Sequence, residues 1–167
     1  SVIDRERAFG YQGEDVEAIP HVTDEIISRF KTAGEKNRAD IVIVELGGTV
    51  GEYQNILFFE ANRILKLQNP DPVLHLHVSY LPVIKSLGEL KSKPAQQSVR
   101  VLQGMGIQPD FLITRSEKEI DEKRKQKLAL FCNLNQSSVI SCPDVADIYQ
   151  VPELLASQNL VKKISQK

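Results

Sequence analysis

Ile41-Val42-Ile43-Val44-Glu45-Leu46-Gly47-Gly48-Thr49-Val50-Gly51-Glu52 is the stretch on which the reading of the fold turns. Its apolar, β-branched beginning predicts a buried strand over 41–45 that runs straight into a carboxylate. In parallel α/β sheets ligands gather outside the carboxyl ends of strands, so Glu45 is expected to emerge at a binding edge. Three glycines follow within five positions. Gly47, Gly48 and Gly51 suit a loop that approaches phosphate closely, and they equally suit a strand-to-helix turn made for packing alone.

Outward from this stretch, strands and helices alternate. Upstream, Thr23 is expected to cap a helix with Asp24 and Glu25 in its first turn and Ile26, Ile27 and Phe30 on one face, ending near Gly34. Downstream, Ile56, Phe59, Arg63, Ile64 and Leu67 fall at helical spacing before Asn69-Pro70 stops the pattern. A strand is expected over 73–78, then a helix opening at Lys93-Pro94 with Val99, Leu102 and Met105 on one face. Gly106-Ile107-Gln108-Pro109 ends it, 111–114 reads as a strand, the charged segment 117–127 leads into Leu128, Leu130 and Phe131, and 139–141 closes the series as a strand. The fold class implied is α/β, a three-layer, mainly parallel sheet with helices on both faces and right-handed crossovers. No linker or repeat divides the chain, so residues 1–167 are expected to form a single domain.

Composition narrows the function. A chain of 167 residues, 41% of them hydrophobic, can bury roughly 70% of its unfolded surface. With 21 basic against 22 acidic residues the net charge is -1, which gives no general attraction to nucleic acid or an anionic membrane, so a phosphate ligand must be held locally. Cys132 and Cys142 are isolated, as in a reducing cytoplasm, and no apolar run reaches membrane-spanning length. Met105 is the only methionine, so Ser1 is expected to follow a processed or excised segment.

Several residue groups could carry chemistry. The P-loop pattern G-x-x-x-x-G-K-[ST] does not occur in the sequence. Lys91-Ser92-Lys93-Pro94-Ala95-Gln96 sets two ammonium groups at a helix start, with Pro94 expected at the first helical position and the amides of Ala95 and Gln96 expected to point out of the helix end. The alternative is a pair of solvated lysines. His75 and His77 share one side of a strand, a conceivable metal pair without an evident third ligand, and His21 before a helix suits packing or capping. The basic run 122–127 is preceded by Glu117, Glu119 and Asp121, as on a mixed, solvated helix face.

Taken together, Ile19-Pro20-His21-Val22-Thr23, the 45–52 loop, residues 91–96, Gly106-Ile107-Gln108-Pro109-Asp110, Ala129-Leu130-Phe131-Cys132-Asn133, Asp144-Val145 and Ile148-Tyr149-Gln150-Val151-Pro152 closely resemble the CTP synthase family, in the same order along essentially the whole chain. The resemblance implies the later part of a P-loop NTPase-like (Rossmann-like) amidoligase domain, beginning after the family's P-loop and ending before its glutaminase domain. In that family ATP phosphorylates the uracil 4-oxygen of UTP, and ammonia from glutamine displaces the phosphate to give CTP. By resemblance Glu45 is the Mg²⁺ ligand, and Glu52, Tyr53 and Gln54 contact CTP in feedback inhibition. Lys91, Ser92, Lys93, Pro94, Ala95 and Gln96, with Lys127, hold UTP or CTP; Lys91 and Lys93 are the catalytic pair. Asp144 and Val145 contact the ATP nucleoside.

This chain departs from the family pattern at three points. Glu-Tyr-Gln stands at 52–54 for Asp-Ile-Glu, Ala95 lacks a threonine hydroxyl, and Pro143 stands where lysine is common. The resemblance further implies a cytoplasmic homotetramer with nucleotide sites shared between subunits, partnered by the glutaminase domain of the same parent chain, and an isolated segment that is inactive. The rival expectations are a non-catalytic pyrimidine-nucleotide-binding or assembly module and a related P-loop ligase or partition-type ATPase. The segment 91–96 argues against the last.

Overall fold

The structure is a computed structural model that describes residues 1–69, 73–84, 86 and 88–167. Pro70, expected to help stop a helix, lies outside the described residues. The chain divides into two compact units, Ser1–Asp71 and Pro72–Lys167.

In the first unit α1 (Val2–Arg7) starts from a reciprocal cap between Ser1 and Asp4. Helix α2 (Thr23–Asn37) has Asp24 and Glu25 in its first turn, as expected. Thr23 does not cap it: its hydroxyl donates to the Pro20 carbonyl at 2.8 Å. The helix also runs past Gly34, because its stop is made by Arg38 in the left-handed conformation (φ 49°), with the Arg38 and Ala39 amides closing on the Glu35 and Gly34 carbonyls. Gly34 has a different role, since the Val42 side chain packs close over it and leaves no room for a Cβ. Helix α3 (Ile56–Gln68) meets α2 through Ile26, Ile27 and Ala61, flanked by Phe30, Leu57 and Ile64.

The expected strand at 41–45 is not formed. The segment is irregular and exposed, with Ile43 90% accessible. Strand propensity expresses itself only where a neighbouring strand can complete the ladder, and the described residues of this unit include none. The apolar stripes of α2 and α3 satisfy each other, so the β-branched run has no sheet to join.

The second unit is built on β1 (Leu76–Tyr80), followed by a hairpin of β2 (Val83–Ile84) and β3 (Glu89–Leu90), then α4 (Lys93–Gly104). Next come β4 (Phe111–Ser116), α5 (Glu122–Cys132), β5 (Val139–Pro143), α6 (Val151–Ser157) and α7 (Leu160–Ile164). Strands β1, β4 and β5 form a parallel sheet in the order β1-β4-β5. Alternation along the strands sends Leu112 and Val139 to one face, where they pack with Leu81, Val99, Leu128 and Cys132 beneath α4 and α5. Phe111, Ile113, Ile140 and Cys142 face the other way against Leu160, Leu154 and Ile164 of α6 and α7. The expected three-layer α/β arrangement is therefore present within this unit, and each fully buried large side chain contributes about 1.5–3 kcal/mol.

Strand β1 begins at Leu76 rather than 73, because Asp110 sets its start. The Asp110 carboxylate accepts from the His75 amide (3.0 Å) and the Asp110 amide donates to the His75 carbonyl (2.8 Å), which brings Leu76 opposite Phe111. Gln108 of the same motif donates to the Cys132 and Asn133 carbonyls and so closes the end of α5. At the other edge, the Ser141 amide donates to Gln158 Oε1 (2.9 Å) while Gln158 Nε2 donates to the Ser141 carbonyl (2.7 Å). A side-chain amide thus takes the place of a neighbouring strand on β5.

Candidate functional site

In a parallel sheet the strands deliver their last residues to one edge, and the hairpin after β1 turns the chain there into α4. The Lys91 amide donates to the Pro82 carbonyl at 2.9 Å, and Lys118 Nζ donates to the Gly88 carbonyl at 2.6 Å, so the hairpin is tied at both ends. Lys91 Nζ lies 2.6 Å from the Glu89 carboxylate. That hydrogen bond and the Lys91 charge hold the Glu89 carboxyl below the usual carboxylate range, with smaller contributions from Arg124 and Lys127. Lys91 and Lys127, expected from sequence to share a ligand, therefore share the electrostatic surroundings of one carboxylate.

Lys93 is the first residue of α4 and is exposed. Pro94 occupies the second helical position rather than the first, which is equally free of a hydrogen-bond requirement. Ser92 is buried, and its hydroxyl accepts from Gln96 Nε2 at 3.0 Å. The Gln96 amide already donates to the Ser92 carbonyl at 3.1 Å, so it closes the first helical turn instead of pointing outward. Ala95 is fully buried and packs into the core with Leu90 and Val99.

Asp144 follows β5, and its amide donates to the Ser116 carbonyl at 2.8 Å. Its carboxylate lies 3.9 Å from Arg115 Nη2, both side chains being exposed, and Val145 beside it is half-buried. Sequence reasoning missed Arg115 and Glu89. The rule that singled out Glu45, a charged residue at the carboxyl end of a predicted strand, also finds Arg115 once β4 is extended to its true end.

In the first unit Glu45 is exposed on the irregular segment. Gly48 (φ 82°) and Gly51 (φ 97°) adopt the left-handed conformation, which explains two of the three glycines. Nothing crowds the position a Cβ would take at Gly47. The loop is held by the Glu52 carboxylate, which accepts from the Thr49 amide (2.9 Å) and from Gln54 Nε2, and by Asn55 Nδ2 donating to the Gly47 carbonyl (2.6 Å). Glu52 and Gln54 are thus brought together, Tyr53 stands 90% exposed between them, and Asn55 is a loop-closing residue that sequence reasoning missed.

The other singled-out residues have local partners. His21 Nδ1 accepts from the Glu17 amide (3.1 Å) and its ring meets Tyr11 edge-on at 4.9 Å, so of the two expected roles it packs and does not cap α2. His77 Nε2 lies 2.9 Å from Ser98 Oγ, and burial holds its imidazole below the usual histidine value. Burial pushes the Cys132 thiol up to about 11, which suppresses its thiolate near neutral pH. Among the described residues no group of three or more His, Cys, Asp or Glu is arranged to hold a metal ion. A cavity of about 420 Å³ beside Val139, Glu122, Lys125 and Lys163 is lined by none of the expected site residues. No described helix is long and apolar enough to cross a membrane.

A family model described as CTP synthase N-terminus matches residues 1–167. The CTP synthase of Methanococcus maripaludis is 48% identical over 168 aligned residues, which cover all of this chain and 31% of that protein. The CTP synthase of Staphylococcus aureus strain JH9 is 44% identical over 160 residues, covering 95% of this chain and 30% of the relative. The chain therefore spans under a third of the length of these relatives.

Proposed function

Because this chain belongs to the CTP synthase N-terminal family, we propose that residues 1–167 form part of a single amidoligase domain that converts UTP to CTP with ATP and ammonia derived from glutamine. The observation that carries this reading is the match of one family along the entire chain. In the proposed reaction the γ-phosphoryl group of ATP passes to the uracil 4-oxygen, and ammonia then attacks C4 and expels phosphate. Such transfers ask a protein for positioning and charge neutralisation more than for a nucleophilic side chain.

Lys91, Ser92, Lys93, Pro94, Ala95, Gln96 and Lys127 are assigned to the pyrimidine nucleotide. The exposure of Lys93 and the common surroundings of Lys91 and Lys127 support that assignment. Asp144 and Val145 are assigned to the ATP nucleoside, and Glu52, Tyr53 and Gln54 to CTP as feedback inhibitor. Glu45 is assigned to Mg²⁺. A lone exposed carboxylate fits that ion, which commonly takes one or two protein carboxylates and completes its shell with phosphate oxygens and water. Bound there, Mg²⁺ would neutralise charge on the transferring phosphoryl group. The parent enzyme is proposed to be a cytoplasmic homotetramer whose glutaminase domain supplies the ammonia.

Two experiments test the reading. In the full-length enzyme Glu45→Gln should raise the Mg²⁺ concentration for half-maximal activity about tenfold, the loss of about 1.4 kcal/mol of ion binding. An unchanged Mg²⁺ titration removes Glu45 from the metal site. The 167-residue chain alone, whose sequence carries no P-loop motif, should form no CTP from UTP, ATP and either nitrogen source. Synthesis by the isolated chain overturns that expectation, and nucleotide binding without turnover is what a non-catalytic module would give.

A further inference from the structure

Resting on the assignment of residues 91–96 to the pyrimidine nucleotide, we infer that His77 and Ser98 are a positioning pair that fixes where Lys93 is presented. His77 is a buried polar side chain on β1, turned away from the face that carries Leu76, Val78 and Tyr80, all of which are exposed. Its Nε2 meets Ser98 Oγ of α4 at 2.9 Å. Ser98 follows Lys93 by five residues, so the bond grips the helix about 7.5 Å along its axis from the first helical residue.

Near its far end α4 is tied by Gln103 Nε2 donating to the Cys132 carbonyl (3.3 Å), whereas its other core contacts near Lys93 are the apolar ones of Ala95 and Val99. Apolar contacts of this kind are non-directional and tolerate sliding and rotation of a helix over a sheet. A hydrogen bond to a buried ring does not tolerate it, because displacement leaves the imidazole and the hydroxyl unpaired. Burial keeps the ring neutral near pH 7, so it engages the hydroxyl without introducing a charge. The opposite end of the segment is fixed by the Lys91 amide on the Pro82 carbonyl. The span between these two ties carries Lys91, Ser92, Lys93 and Gln96, so the His77–Ser98 bond acts on nucleotide affinity through the lysines and not by touching the nucleotide.

The test uses the full-length enzyme with Ser98→Ala, His77→Leu, His77→Gln and the double variant, and Lys93→Ala as reference. Ser98→Ala and His77→Leu should each raise the KM for UTP about fivefold, one hydrogen bond's worth, while the KM for ATP and kcat stay within about twofold. The double variant should be no worse than either single one, and His77→Gln, whose amide nitrogen can reach the same hydroxyl, should restore most of the UTP affinity. Hydrogen exchange should quicken in the first turn of α4 in Ser98→Ala, which can be read without turnover. An unchanged UTP KM in Ser98→Ala alongside a weakened Lys93→Ala overturns the pair and leaves the nucleotide assignment standing. Equal loss for UTP and ATP, or additive single effects, overturns it as well. An unaffected Lys93→Ala overturns both together.

Discussion

Lys93→Ala in the full-length enzyme is expected to weaken UTP binding by about 1.5–3 kcal/mol, roughly ten- to a hundredfold, as read by calorimetric titration. The two lysines of the segment are not equivalent. Lys91 is already committed to Glu89 at 2.6 Å, so a triphosphate must compete with a carboxylate for it. Removing Lys91 therefore removes a partly spent charge and leaves Glu89 facing Arg124 and Lys127. Lys93 stands exposed at the start of α4, where its ammonium and the positive end of the helix act in the same direction on an anion. Lys91→Ala should accordingly cost less than Lys93→Ala. A UTP affinity unchanged by Lys93→Ala would exclude that residue from the site.

The second large effect lies in the core. Leu112→Ala should destabilise the chain by about 2–5 kcal/mol in urea unfolding, because Leu112 is fully buried on β4, the middle strand of the sheet, under α4 and α5. Val78→Ala is the control. Val78 is 57% exposed on β1, so its truncation should cost well under about 1 kcal/mol. Equal losses at the two positions would contradict the layered arrangement of β4 between helices.

The contrast between these residues shows what was legible in the sequence. Phe111 to Thr114 and Val139 to Ser141 read as strands and are strands, because each is buried on both faces and flanked by clear helical patterns. Residues 41–44 read as a strand on the same grounds and remain irregular, since composition records a preference for burial but not the existence of a partner. The start of β1 was missed by three residues because Asp110, 35 positions away, determines it through the His75 amide. Local periodicity carries no information about such a tie.

The candidate site was legible in a similar, partial way. Lys91 and Lys127 were singled out for resemblance to one family, and the structure places both around Glu89, a residue that no sequence pattern had marked. Glu52 and Gln54 were singled out together and are hydrogen-bonded to each other. Arg115 escaped because the strand containing it runs two residues past the expected end at 114. Asn55 escaped because an amide closing a loop onto the Gly47 carbonyl looks, in sequence, like an ordinary helix-start residue.

The amide of Gln158 gives the sheet a polarity of assembly. With the Ser141 amide and carbonyl both occupied, a strand pairing on the β5 side would have to displace the Gln158 amide first. A strand arriving at that edge therefore meets a side chain already bonded to the backbone, which works against ladder growth on the β5 side.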